Sequence, residues 1–284
     1  MEILLAAAAL GALGLVLATL LAVGQRFLAV AEDPRLAAVR ARLPGNDCGA
    51  CGYPGCAGLA RALLAGEASP SACTVATPAQ RAALAALLGT AVGEAVRRVA
   101  RLACAGGANV ARVHGHYLGE RTCAAAATVA GAGKGCAWGC LGFGDCERSC
   151  DFDAIAMDRQ GLPEVDPAAC VACGDCVTAC PRDLFELVPE PLRVHVACRN
   201  PLAGDAILEE CRVACTACAR CAFDAPASIR MVDGLPVLAR ERPPPREAID
   251  RCPTGAIVWL DDAGHAHRGH AAPRVVRQQP LPVA

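Results

Sequence analysis

Cys170–Pro181 reads CVACGDCVTACP, and the fold of the chain turns on it. Cys170, Cys173 and Cys176 are evenly spaced, Cys180 follows on the same stretch, and Pro181 comes directly after. Three thiolates at that spacing wrap one corner of a four-iron, four-sulfide cube. The fourth leaves on a helix and serves the other cube of a pair. A zinc site has no need of the Cys-Pro exit or of a partner loop. The stretch therefore predicts a second cysteine loop that exchanges ligands with this one.

That loop is CAWGCLGFGDCERSC, Cys136–Cys150. Counting back from Cys150, the third and first ligand positions are Cys146 and Cys140, whereas the second is Phe143. Cys136, just before Cys140, is the expected substitute. The spacing predicts one cluster on Cys136, Cys140, Cys146 and Cys180, and another on Cys150, Cys170, Cys173 and Cys176. Asp151 stands where a proline usually follows the last cysteine.

The unit then recurs in reduced form. CTACARCAFDAP supplies Cys215, Cys218 and Cys221, but its fourth position is Ala225. Before Cys252–Pro253 there is only RERPPPREAIDR, so the second three-cysteine loop is missing as well. The two losses match: every ligand of one cluster is gone, and Cys215, Cys218, Cys221 and Cys252 remain for the other. The stretches DFDAIAM, PRDLFEL, FDAPASI and PTGAIVW follow successive cysteine groups and mark the internal repeat.

Nearer the N-terminus, NDCGACGYPGC supplies Cys48, Cys51 and Cys56, with Cys73 beyond a helical AGLARALLAGEA. Four thiolates without a histidine would suit zinc on spacing alone. Ahead of three clusters, the group reads as a further 4Fe–4S site, with Gly49, Gly52 and Gly55 letting the backbone pass close to the cube. TPAQRAALAALLG then carries a Thr77 cap, Pro78 at the first helical position and Gly89 at the end. Cys104, Cys123, Cys198 and Cys211 are left unassigned. Each alone reads as a buried thiol packing as a small hydrophobe. A fifth site built from them stays open, and Cys211 precedes Cys215 as Cys136 precedes Cys140, so it competes as a ligand. His114 and His116 read as polar surface groups. GAGKG (131–135) lacks the preceding glycine and following hydroxyl of a phosphate loop.

Twenty cysteines in 284 residues dominate the composition; a net charge of −1 and 3% aromatics give no hold for a nucleic acid. Ile3 to Gly24 carries no charged residue and would make roughly 30 Å of helix, the thickness of a bilayer core. A cleaved signal peptide is the alternative, with LAVA before Glu32 as its cleavage site. The run is too long for one, and Glu2 rather than a base precedes it, which favours a retained anchor. Arg26, Arg35, Arg40 and Arg42 all follow the span, so the bulk of the chain is expected on the cytoplasmic side of the inner membrane. In that reducing compartment thiolates serve as metal ligands rather than disulfides.

The expected fold class is α+β, built from a single N-terminal transmembrane helix, a small four-cysteine 4Fe–4S domain, a ferredoxin-like two-cluster domain and a degenerate one-cluster ferredoxin-like repeat. The expected boundaries are an anchor over 1–25, a linker over 26–43, the four-cysteine domain over 44–90 and a connecting segment over 91–135. The two-cluster domain follows over 136–190, the degenerate repeat over 191–260, and a disordered Pro/His/Arg-rich tail over 261–284.

The apolar span, CGACGYPGC with Cys73, GCAWGCLGFGDC and VACGDCVTACP together resemble the B subunit of Rnf complexes, the ion-translocating ferredoxin:NAD oxidoreductases. The resemblance runs from Met1 to about Leu260. It implies a subunit of a redox enzyme that accepts electrons from soluble reduced ferredoxin and passes them to flavin-bearing partner subunits in the membrane. The complex would couple transfer to NAD to movement of Na+ or H+. No Gly-rich dinucleotide fingerprint is present, so NAD reduction is expected on another chain, and no catalytic residue is assigned here. The span holds no ionisable residue and is not by itself an ion path. Two other readings stay open: a membrane-bound polyferredoxin feeding a different reductase, and a zinc-binding scaffold. The four-cysteine domain is also similar to those of corrinoid proteins, but no cobalamin-binding segment is apparent.

Overall fold

The structure, a computed structural model, describes residues 2–28, 33–94 and 96–283. Helix α1 (Glu2–Leu28) is followed by α2 (Pro34–Arg40), α3 (Gly55–Ala65) and α4 (Pro78–Leu88). Side chains of α1 are described for residues 10–26, and leucines 10, 13, 17, 20 and 21 are all exposed. Among the described residues no helix is long and apolar enough to cross a membrane. The cleavage-site reading falls on 29–32, outside the described residues.

Helices α2 to α4 enclose a small core of Val39, Leu43, Leu59, Leu63 and Leu84, completed by Cys56 and Cys73. Its local signals act as the sequence suggests. Thr77 and Gln80 form a reciprocal capping box at the start of α4, and Gly89 ends the helix in the left-handed conformation.

Two β-containing units follow. The first comprises β1 (Arg98–Leu102), α5 (Cys123–Thr128), α6 (Asp145–Arg148), β2 (Ile155–Met157), β3 (Pro163–Val165), α7 (Asp175–Ala179) and β4 (Phe185–Pro189). The second comprises β5 (Val194–Val196), α8 (Arg220–Asp224), β6 (Ile229–Val232), β7 (Leu235–Leu238), β8 (Ile257–Leu260) and β9 (Ala266–Arg268). In the first unit an outer antiparallel pair joins β1 to β4, with Val99 opposite Val188, and an inner hairpin joins β2 to β3. The second repeats the plan. There β5 pairs with β8, with Val194 opposite Trp259, and β6 pairs with β7. The four apolar stretches that mark the sequence repeat end in β2, β4, β6 and β8.

Two boundaries differ from the sequence expectation. Segment 91–135 is not merely a connection, because it supplies β1, the partner that closes the first unit against β4. Val99 and Ala100 are buried among Ile155, Phe185 and Val188. The strand escapes sequence reading because RVARL places two arginines among three apolar residues, and Arg101 is itself buried. Segment 261–284, expected as a disordered tail, instead adds β9 to the β5–β8 pair. It then runs back over the chain, with Ala271 N donating to Asp250 O at 2.9 Å and Leu281 N donating to Ala108 O at 2.8 Å. Pairing with β8 supplies order that a Pro/His/Arg-rich composition does not signal.

The boundary at β1 is open to test. A fragment beginning near residue 92 should fold and resist proteolysis, whereas one beginning at 136 should not, since it exposes Val188 and leaves β4 unpaired.

Candidate iron-sulfur sites

The cysteine loops share one backbone shape. Counting from the first cysteine of each loop, the second and fourth following residues have positive φ in all three. These are Gly142 and Gly144 (78° and 75°), Ala172 and Gly174 (57° and 97°), and Ala217 and Ala219 (56° and 58°). A short helix starts at the next residue in each case, forming α6, α7 and α8. Alanine in this region costs roughly 1–2 kcal/mol, so the shape is held by something beyond local preference. The first loop keeps it although Phe143 stands in the middle cysteine's place.

Among the described residues no three His, Cys, Asp or Glu side chains converge as ligands of one metal ion. The thiols are instead spread around shared cavities. Cys48, Cys51, Cys56 and Cys73 line one. Asp47 braces that loop by accepting a hydrogen bond from the Cys56 amide at 2.5 Å. Gly55, at a φ of 68°, makes room for this, because a Cβ there would lie 2.7 Å from Asp47 Oδ1. Burial raises the pKa of Cys73, and neighbouring Cys51 and Cys56 add to the effect.

A second cavity is lined by Cys123, Cys140, Cys146 and Cys180. Cys123 therefore stands where the sequence suggested Cys136, which lies elsewhere. Asp145 explains the exchange. Its two carboxylate oxygens accept from the amides of Cys123 and Ala124, at 2.9 and 3.0 Å, and so pin the start of α5 beside Cys146. Thr122 caps the same helix. The contact spans too much chain for a spacing rule; the vacancy at Phe143 was the only signal in sequence. Burial pushes Cys140 and Cys146 up to about 12, with Cys104 and Cys123 respectively the next contributors.

The third set is embedded in the first unit's core. Cys170 and Cys176 are buried there with Cys150 packed against them. The Ala100 amide donates to Cys170 Sγ at 3.4 Å. Cys176 is pushed up to about 12 by burial and then by Cys170 and Cys173, with Cys150 also in reach. In the second unit Cys252 is buried with Cys215 and Cys221 packed beside it. Cys221 is raised to about 11 by burial, then by Cys252, with Cys218 also close. Cys218 is the exposed member.

The donor sets fit iron–sulfur cubes. In the first two sets four sulfurs line one cavity, in the other two most of them pack together in a core, and backbone amides donate to Cys170 and Cys180. As free thiols they would be neutral, so several thiolates in one such cavity require the positive charge of a metal. His114 bonds Glu210 at 2.7 Å. Lys134, from the glycine-rich GAGKG, donates to the carbonyls of Gly106 and Cys140, both at 2.6 Å.

Comparison with known proteins agrees with this chemistry. An Fe-S cluster family matches residues 43–75, and a 4Fe-4S binding domain family matches residues 162–185. The fold and sites thus define an iron–sulfur protein of mixed helix and strand content with 4Fe-4S binding domains. The B subunit of the Na(+)-translocating ferredoxin:NAD(+) oxidoreductase complex of Acetobacterium woodii is 43% identical over 72% of this chain and 62% of its own length. The B subunit of the ion-translocating oxidoreductase complex of Methanosarcina acetivorans is 32% identical over 83% of this chain and 89% of its own. The corresponding B subunit of the proton-translocating ferredoxin:NAD(+) oxidoreductase complex of Clostridium ljungdahlii is 33% identical, over 72% of each. The chain belongs to the family of B subunits of ion-translocating Rnf oxidoreductase complexes. It spans less than two thirds of the Acetobacterium protein.

The Asp145 bracket gives a direct test. Asp145→Ala removes a carboxylate acceptor from two amides and should cost about 2 kcal/mol. Hydrogen exchange at the amides of Cys123 and Ala124 should accelerate, while the Cys48–Cys73 domain stays unaffected.

Proposed function

We propose that this chain is the iron–sulfur electron-transfer subunit of a membrane redox complex that moves an ion. It would take electrons from a soluble reduced ferredoxin and deliver them to flavin-bearing partner subunits on the way to NAD. The carrying observation is that Cys123 and Cys180, distant in sequence, line one cavity with Cys140 and Cys146. A zinc scaffold would not need thiols exchanged between paired loops.

On this reading Cys48, Cys51, Cys56 and Cys73 hold a first cluster and Cys123, Cys140, Cys146 and Cys180 a second. Cys150, Cys170, Cys173 and Cys176 hold a third, and Cys215, Cys218, Cys221 and Cys252 a fourth. A 4Fe–4S cube supplies a one-electron couple whose potential follows its charge, burial and the hydrogen bonds to its sulfurs. The protein sets these: the Ala100 and Leu184 amides donate to Cys170 and Cys180, at 3.4 and 3.5 Å. The second and third sets share α6 and α7: Cys146 lies in the first helix with Cys150 just past its end, and Cys176 lies in the second with Cys180 at its C-cap. That interleaving puts Cys146 of one set within electrostatic reach of Cys176 of the other.

Ile3 to Gly24 supports a single-pass anchor, and the arginines after it support a cytoplasmic placement for the rest. NAD chemistry and ion movement belong to other subunits.

The test is anaerobic reconstitution with iron and sulfide. Cys123→Ala should remove about four iron atoms, one cube's worth. Ferredoxin reduced in stoichiometric amount should bleach the visible absorption of the wild-type chain, and NADH alone should not. Zinc in place of iron would sink the proposal and leave the scaffold.

A further inference from the structure

Four cysteines take no part in the sets above: Cys104, Cys136, Cys198 and Cys211. All four line a third small cavity, at the seam between the two β-containing units. Like the cavities of the first two sets, it is lined by four cysteines.

The four thiols are related by the internal repeat. Cys104 is the second residue after β1, and Cys198 is the second after β5. Cys136 precedes the first loop cysteine Cys140 as Cys211 precedes Cys215. Hydrogen bonding repeats as well: the Cys140 amide donates to Cys104 Sγ at 3.4 Å, and the Cys215 amide donates to Cys198 Sγ at 3.3 Å. Gly106 N donates to Cys104 Sγ at 3.4 Å. The corresponding amide of Asn200, two residues after Cys198, acts on Cys198 in the same sense. Each unit thus contributes two sulfurs in equivalent positions, and the site is complete only where the units meet.

The surroundings suit a cube rather than loose packing. Asn200 is 1% exposed and turns its Nδ2 toward Cys136 Sγ at 3.6 Å. A Cβ on Gly106 would lie 3.2 Å from Cys211 Sγ and 3.6 Å from Cys104 Sγ, so the backbone closes directly over two sulfurs. Lys134 lines the cavity. Arg268, on β9, lies within electrostatic reach of Cys211 and Cys252, and its buried Nη1 has no hydrogen-bond partner among the described residues. One cation thus lines the cavity and a second lies within reach of Cys211, one of four sulfurs that would be anionic as ligands. Buried thiols acting only as small hydrophobes would not require convergent N–H donors or cations.

We propose that Cys104, Cys136, Cys198 and Cys211 hold a further 4Fe–4S cluster at the seam between the two ferredoxin-like units. This rests on the iron–sulfur reading above and extends it with a site for electron exchange between the units. One neighbour is the second set, through Cys140, and the other is the fourth set, through Cys215. The exchange moves one electron between neighbouring clusters and forms or breaks no bond.

The test uses the full chain, reconstituted anaerobically with iron and sulfide, and compares wild type with a Cys136→Ala/Cys211→Ala variant. Wild type should hold about 20 iron atoms and the variant about 16, with matching losses of sulfide and of the Mössbauer area assigned to 4Fe–4S iron. Adding Cys123→Ala should remove about four more, because it strikes a separate cluster. A wild-type content of about 16 that the double substitution leaves unchanged would overturn this site and leave the other four standing. No iron at all would overturn the wider reading too. The seam position has its own readout: the reduced wild type should show an EPR spectrum broadened by spin coupling that narrows in the variant. A spectrum unaltered by the substitutions would rule out that position. If the variant fails to fold, the wild-type iron and sulfide count decides by itself.

Discussion

The need to bring four sulfurs from separate parts of the chain around one small cavity governs this structure. Its cores are small, and thiols complete them: Cys56 and Cys73 sit among the helices of the first domain, Cys146, Cys170 and Cys176 in the first β-containing unit, and Cys252 in the second. In the two β-containing units, strands of three to five residues and helices of four to six do not bury enough apolar surface to be stable by themselves. Metal–thiolate bonding would supply what hydrophobic burial lacks, so folding and cofactor loading are expected to be coupled.

The same constraint explains the strained backbone. Ala172, Ala217 and Ala219 adopt positive φ at positions where glycine would be easier, and the conformation recurs at each loop. A further repeat follows the last cysteine of each group, where Asp153, Asp183 and Gly255 also have positive φ. The recurring shape turns the chain from a ligand loop into a short helix and then from the helix back into a strand. Where the loop has Phe143 in place of a cysteine, the shape persists and a remote segment brings Cys123 to the same cavity. Asp145, inside the loop, fastens that segment in place.

The two units meet through backbone contacts as well as the cysteine-lined seam. Ala105 N donates to Ala197 O at 3.0 Å, Arg212 N donates to Val110 O at 3.0 Å, and buried His195 donates from Nε2 to Leu102 O at 2.8 Å. Burial keeps His195 below its usual pKa, so it crosses the interface as a neutral imidazole. The units are therefore joined in a fixed orientation, which an electron carrier with sites on both sides of the seam requires.

Local sequence determined much of this protein. Close cysteine spacing identified three loops, apolar stretches after them became strands β2, β4, β6 and β8, and Thr77, Pro78 and Gly89 bounded α4, because each depends on neighbours only a few residues away. The missing thiols at Phe143 and Ala225 were equally legible. What spacing did not reveal was which distant cysteine completes each set. Cys136 stands closer in sequence to Cys140 than Cys123 does, yet the Asp145 bracket draws Cys123 to the second cavity and leaves Cys136 facing the seam. Strand β1 and the return of the C-terminal segment were also hidden, since their order comes from pairing with β4 and β8 rather than from their own composition. Which cysteines share a cavity depends on where strands and loops meet in space, and only the tertiary structure decided it.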